Sequence, residues 1–369
     1  MQLVQTTRDA LLKPLSTVAG IVERRNTMPI LANVLLRKEG NQVSFLATDL
    51  EVQITTHADF GVGDQPESTT VAARKLMDIL RALPDANDVK LGLASGKLSI
   101  QSGKSRFALQ TMPAADYPTV SQPEAWDVSF SLPQKTLKHL FNMVHFAMAQ
   151  QDIRYYLNGL LFVFEPGLVR TVSTDGHRLA HCAAAADGIA QKHDVIVPRK
   201  TVLEMQRLLG DLDDPVQIDV AAGQIRFRFA DVELISKLVE GKFPDFTRVI
   251  PTNYTRHFAV RREALQGSLQ RAAILTTDKL KGVRVQMGDN LLKISSSNAE
   301  QEEAQEEIDI DYAHEALDVG FNVSYLLDVL ATVKTEEILW SVQPDANASA
   351  LITLPDDDQF KYVVMPMRI

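Results

Sequence analysis

Only one cysteine, Cys182, occurs in 369 residues. A lone thiol makes no internal disulfide and no cysteine-based zinc site. The shortage fits a reducing compartment, so a cytoplasmic location is expected. Long apolar runs are also missing. No stretch reaches the roughly 18 uncharged apolar residues of a spanning helix, so no membrane partner is expected. The opening MQLVQTTRDALLKPL lacks a basic stretch followed by an apolar one, so no signal peptide is expected. Catalytic signatures are absent as well: no G-x-S-x-G elbow, HExxH, P-loop or GxGxxG occurs. The eight histidines show no metal-ligand spacing, and His139 and His145, six apart, do not share a helical face. No cofactor and no metal are expected. A basic surplus is missing too: net charge is −9, which by itself argues against nucleic acid.

What remains is an ordinary globular composition, 45% hydrophobic and 23% charged. The length suits two or three domains.

A repeat organises the chain. Residues 70–84 (TVAARKLMDILRALP), 195–209 (VIVPRKTVLEMQRLL) and 320–334 (GFNVSYLLDVLATVK) place Arg74, Arg199 and Ser324 at matching points, 125 residues apart. Apolar residues follow at helical spacing, such as Leu76, Ile79, Leu80 and Leu83. A second helix recurs at 9–18, 135–144 and 263–272, aligning Leu12, Leu137 and Leu265, each preceded by a short apolar strand. A strand and polar turn recur at VSFLATDLE, LVRTVSTDGH and LLKISSSNAE, ending at Glu51, His177 and Glu300. Three features in one register indicate three α+β repeats. Alternating segments such as LSIQSGKSRFALQTM and IRFRFADVELISKLV add antiparallel strands, so two helices and roughly eight strands are expected per repeat. The links at 119–127 and 250–256 give domains of 1–124, 125–253 and 254–369.

Charge follows the same division. The six helical windows 8–25, 70–84, 133–150, 196–210, 261–271 and 321–335 hold sixteen Lys or Arg against six Asp or Glu, net +10. The rest of the chain carries −19. A basic helical surface suits phosphates, in a sequence-independent and salt-sensitive way. The acidic remainder would discourage indiscriminate contact.

Several motifs together resemble the bacterial DNA polymerase III beta subunit family, the beta sliding clamps. They are MPILANVLL (28–36), ATDLE (47–51), QDIRYYLNGLLF (151–162), STDGHRLA (173–180), VIVPRK (195–200), GKFPDF (241–246), GFNVSYLLDVL (320–330) and YVVMPMRI (362–369). The likeness runs from end to end. It implies three clamp domains, each with two helices on antiparallel sheets, in a head-to-tail dimeric ring of six domains. Helix geometry agrees with two chains. Twelve helices packed about 8–10 Å apart make a circle whose clear bore is roughly 20–27 Å, enough for duplex DNA.

The resemblance also implies functional residues. Arg25, Arg74, Gln151, Tyr155, Tyr156 and Lys200 match positions that touch double-stranded DNA. A partner pocket would comprise Leu157, Thr174, Gly176, His177, Arg178, Leu179, Pro244, Arg248, Val249, Asn322, Tyr325, Val364, Met365, Pro366, Met367 and Arg368. It would take short linear motifs from the polymerase III alpha subunit, the clamp loader delta subunit and other clamp-binding proteins. Its Leu, Val and Met side chains suit an adaptable apolar floor. At the homodimer interface, Phe107 and Leu109 on a strand would meet Ile274 and Leu275. Lys104 and Arg106 would face Glu300, Glu302, Glu303 and Glu306. Gln305 stands where the family has an acidic residue.

Two other readings are open to the same residues. Ser173, Asp175 and His177 contain the elements of a nucleophilic triad. A repeat-built scaffold could bind peptides without encircling DNA. The basic helices speak against that scaffold, and the absence of any supporting motif speaks against the triad.

Overall fold

The structure is a computed structural model and describes residues 2–23, 27–85, 87–277 and 281–369. The described residues form six α-helices and twenty-four strands. The helices are α1 (Arg8–Ala19), α2 (Ala73–Ala82), α3 (Gln134–Asn142), α4 (Arg199–Leu208), α5 (Arg262–Ala273) and α6 (Val323–Thr332). None is long and apolar enough to cross a membrane.

Local sequence explains the helices. Thr7 caps α1 by accepting from Ala10 N at 3.3 Å, satisfying one of the otherwise orphaned first-turn donors. Leu11, Pro14, Leu15 and Val18 then lie on one buried face. Asn322 caps α6 by accepting from Ser324 N at 3.0 Å, and Val323, Leu326, Val329 and Leu330 form its buried stripe. The helices are shorter than the windows read from sequence, because strands run directly into α2, α4 and α6. Within observed bounds they hold twelve Lys or Arg against five Asp or Glu, net +7 rather than +10. The bias survives, although α6 supplies no basic residue.

The chain forms two compact units. The first comprises Met1–Lys135 and Arg207–Leu238 and contains a twelve-stranded antiparallel sheet. Strand Val52–Asp59 of the first repeat pairs with Val232–Lys237 of the second, Leu234 opposite Ile54, which makes the sheet continuous. Strand Ser105–Met112 pairs along its length with Lys97–Ser102 but meets Glu67–Ala72 only at Thr111 and Met112. Its earlier residues therefore present an open edge. Tyr117 fastens a loop to this unit's core. Its hydroxyl donates to Asn33 O (3.1 Å) and accepts from Thr48 N (3.2 Å), and burial pushes its pKa up to about 12.

The second unit comprises Thr136–Gln206 and Val239–Ile369. It holds an eight-stranded and a four-stranded antiparallel sheet. In the larger sheet, Arg178–Ala186 pairs with Asp357–Val364, Leu179 opposite Val363. The smaller runs Glu303–Asp309, Leu291–Ser297, Gly282–Gly288, Leu317–Asn322. One core cluster gathers Ala149, Leu157, Leu161, Val163, Val172, Leu179, Ile196, Phe243 and Val363.

Candidate partner pocket and DNA-facing residues

The pocket grows out of a single turn. Between strands Gly167–Thr174 and Arg178–Ala186, Asp175 Oδ1 accepts from His177 N (2.9 Å) and Arg178 N (3.1 Å). Thr174 Oγ1 accepts from Gly176 N (3.0 Å) and donates to Arg178 O (2.6 Å). Gly176 has φ +92°, and a Cβ there would lie 2.9 Å from Arg154 Nη1. The positive φ is what selects glycine, since the end of the Arg154 side chain can give way to a Cβ.

Arg178 leaves this turn as a nearly buried cation, with 9% of its side chain exposed. Nε donates to Asp175 Oδ2 at 3.1 Å, Nη1 to Asp328 Oδ2 at 2.6 Å and Nη2 to Phe146 O at 2.7 Å. The guanidinium lies 4.3 Å from the centre of the Tyr325 ring. Burial alone would lower its pKa. Interactions with Tyr362, Asp328 and Asp175 outweigh that and hold it above the ordinary arginine value. Arg178 thus ties the turn to α6 and to the short turn His145–Ala147.

On one side of Arg178 lies a cavity of about 120 Å³. Leu157, Leu179, Val363 and Phe243 belong to the core cluster and form its floor. Tyr156, Pro244, Phe246, Val249 and Met365 form walls, with Arg154, Thr174 and Arg178 as the polar lip. Arg154 is itself fixed: Nε and Nη2 donate to Asp152 Oδ1 and Oδ2 at 3.0 and 2.8 Å. These bonds hold the Asp152 carboxyl down at about 2. An apolar cup with a few fixed polar groups is suited to apolar side chains of an extended peptide.

Half of the sixteen pocket residues expected from sequence line this cup: Leu157, Thr174, Gly176, Arg178, Leu179, Pro244, Val249 and Met365. His177 and Tyr325 instead line an adjoining polar hollow of about 670 Å³ that shares Arg178. Asn322 serves as the α6 cap, and Val364 is buried in strand pairing opposite Arg178. Arg248 stands out in solvent and pairs with Asp245 at 3.1 Å. Pro366 is half-buried and Arg368 exposed. Met367 N donates to Gly320 O at 2.8 Å. Sequence reasoning missed Arg154, Phe243, Phe246 and Val363. Phe243 and Phe246 lie within the quoted GKFPDF motif, so a signal for them was present.

Of the DNA-facing candidates, Arg25 lies outside the described residues. Arg74 is exposed on α2, with Nη2 3.3 Å from Val22 O. Gln151 is exposed and holds φ +57° beside Asp152. Lys200 is half-buried in the first turn of α4. The tyrosines divide: Tyr155 is 57% exposed, whereas Tyr156 packs on the core cluster and lines the cup.

At the expected interface, Lys104, Arg106 and Phe107 are exposed and Leu109 is half-buried at the open strand edge. Ile274, just past α5, is 76% exposed, and Leu275 is half-buried. Glu300, Glu302 and Glu303 are exposed, but Glu306 is turned back onto its own chain. Arg271 grips it with Nε to Oε1 at 2.9 Å and Nη2 to Oε2 at 2.5 Å. The cause is the two-residue period of the strand: 303, 305, 307 and 309 face outward while 304, 306 and 308 face inward. Glu307, not 306, shares the outward face with Glu303.

The triad reading fails on geometry. Ser173 is fully buried and its hydroxyl donates to Val144 O, while Asp175 is occupied by the turn amides and Arg178.

Comparison with known proteins decides the family. Models of the DNA polymerase III beta subunit match three times: the N-terminal domain over residues 1–121, the central domain over 131–245 and the C-terminal domain over 247–368. The chain belongs to the beta sliding clamp family. It is 46% identical over 363 residues to the Pseudomonas aeruginosa beta sliding clamp, covering 98% of each chain. The Escherichia coli K12 beta sliding clamp is 42% identical over 362 residues, with the same coverage. A P. aeruginosa sliding clamp structure described as bound to griselimycin superposes with a TM-score of 0.95, at 45% identity and full coverage of both chains. The three clamp domains, α+β with antiparallel sheets, are thus shared by this chain and its relatives.

Proposed function

We propose that this clamp encircles duplex DNA as a head-to-tail homodimer and tethers the replicative polymerase and other replication and repair proteins, without catalysis. The observation that carries this reading is the threefold repeat whose helices hold net +7 in a chain of −9. In a closed ring, topology retains the DNA, so phosphate contacts can be weak and mobile. Arg25, Arg74, Gln151, Tyr155 and Lys200 would supply those contacts. Tyr156 is better read as a pocket wall. The repeats would act as domains 1–124, 125–253 and 254–369, and the work would be done in the cytoplasm.

The ring would close between the open edge at Lys104–Leu109 and the edge strand Glu303–Asp309 of a second copy, with Ile274 and Leu275 packed on Phe107 and Leu109. Opposite charge at the two edges would set register. The cup at Arg178 would take apolar side chains of linear motifs carried by the polymerase alpha subunit and the clamp loader delta subunit. We propose that it also binds griselimycin.

The test is retention on nicked circular DNA after loading. A clamp stays bound in high salt until the circle is linearised. Salt-labile retention on both circular and linear forms refutes encirclement and favours a peptide-binding scaffold.

A further inference from the structure

The pocket wall at Met365 is held from outside the pocket. Met365 N donates to His177 O at 2.9 Å, and Met367 N to Gly320 O at 2.8 Å. Pro366, which has no N–H, lies between these two bonds. The segment therefore bridges two sheets: the turn of the eight-stranded sheet at His177, and strand Leu317–Asn322 of the four-stranded sheet. Beyond it, Ile369 lies over Gly282 and Gly320. Gly282 pairs with Asn322 and Arg284 with Gly320, so both glycines lie on one face of the sheet.

Neither glycine has a positive φ, so backbone freedom does not explain them. Space does. A Cβ on Gly320 would collide with Met367 O and Ile369 Cγ1, closer than real Cβ atoms approach. A Cβ on Gly282 would meet Ile369 Cγ2 at 2.6 Å. The two collisions differ in kind. At Gly320 the obstacle includes a backbone carbonyl, which can move only with the segment. At Gly282 it is the end of one side chain, which can rotate away.

We infer that Gly320 and Gly282 form a seat for the segment Met365–Ile369, and that this seat sets the pocket's affinity although it touches no bound partner. The inference rests on reading the cup as the partner site. Seated, Met365 is already ordered as a wall. Unseated, the segment must be ordered again at each binding event.

Two measurements on the full chain separate the parts. Amide hydrogen exchange at Met367 reads the seat without a partner, and titration with griselimycin reads the pocket. In Gly320→Ala the Met367 amide exchanges at least about ten-fold faster, as expected for a freed segment. Griselimycin affinity falls about ten-fold, the cost of reordering one or two Met side chains. Gly282→Ala gives a smaller loss that Ile369→Ala relieves. The same addition does not rescue Gly320→Ala, because the Met367 carbonyl still blocks the new Cβ. The Gly282→Ala and Ile369→Ala pair decides the matter even where Gly320→Ala weakens the sheet.

Unchanged Met367 exchange in Gly320→Ala overturns the seat. Faster exchange with unchanged affinity overturns its role in binding. Failure of the unsubstituted chain to bind griselimycin overturns both the pocket reading and the affinity claim, while exchange still decides the seat.

Discussion

Replacing Arg178 by methionine removes a charge but keeps most of the side-chain volume. Three acceptors lose their donor: Asp175 Oδ2, Asp328 Oδ2 and Phe146 O. Breaking a buried ion pair by removing one partner costs about 3–5 kcal/mol. The two carboxylates here are unequal, with 16% of the Asp175 side chain exposed and 43% of Asp328. Asp328 can be resolvated by water, so the loss should fall near the lower end, about 3 kcal/mol. In a unit of this size each kcal/mol moves Tm by about 2–4 °C, so Arg178→Met should lower it by about 6–12 °C. The assay is thermal unfolding of the full chain, with Arg178→Met, Asp328→Asn and the double variant compared. The double variant should lose less than the sum of the two, with a coupling of about 1–2 kcal/mol. A fall below about 2 °C, or strict additivity, would show that Arg178 does not bind the turn to α6.

Three further outcomes are expected. His181 is 7% exposed, with its ring tilted against Phe246 at 5.9 Å, and burial first, then Lys361 and Arg170, holds its pKa down to about 4. Its ordinary value is about 6.5, so the unfolded chain takes up the proton first, and stability present above pH 6.5 drains away as pH falls towards 4, by at most about 3 kcal/mol. His181→Leu should flatten the Tm profile in that window; an unaltered profile refutes the assignment. Tyr117→Phe leaves Thr48 N and Asn33 O without their hydroxyl partner and should cost about 1–3 kcal/mol, read from urea midpoints. Phe107→Asp should turn dimers into monomers in native mass measurements, and an unchanged mass would count against the edge interface.

Much of the site's position was legible locally. The turn Thr174–Arg178 closes through its own Thr, Asp and Gly, so STDGHR carries that geometry in sequence. The six helices were visible because their apolar spacing is a short-range property. Their lengths were not, because the passage from strand to helix at Ala72 and Pro198 leaves no break in the apolar pattern. Glu306 shows the same limit at finer scale. A run of acids reads as one charged surface until strand register sends alternate members to opposite faces.

The threefold α+β repeat, the excess of basic residues on helices and the family of the chain could all be read without any contact information. The repeat and the charge bias follow from periodicity and composition, and the family from its motifs, all written along the chain. Which residues share a wall was settled by tertiary packing. Leu157, Leu179, Phe243 and Val363 are far apart in sequence and meet because Arg178–Ala186 pairs with Asp357–Val364 and one core draws them together. It likewise decided that Arg178 is a buried tie rather than a surface cation, and that Gly282 and Gly320 are empty so that Met367 and Ile369 can lie against them. Burial and close approach depend on what packs against a residue, and no local pattern specifies that neighbour.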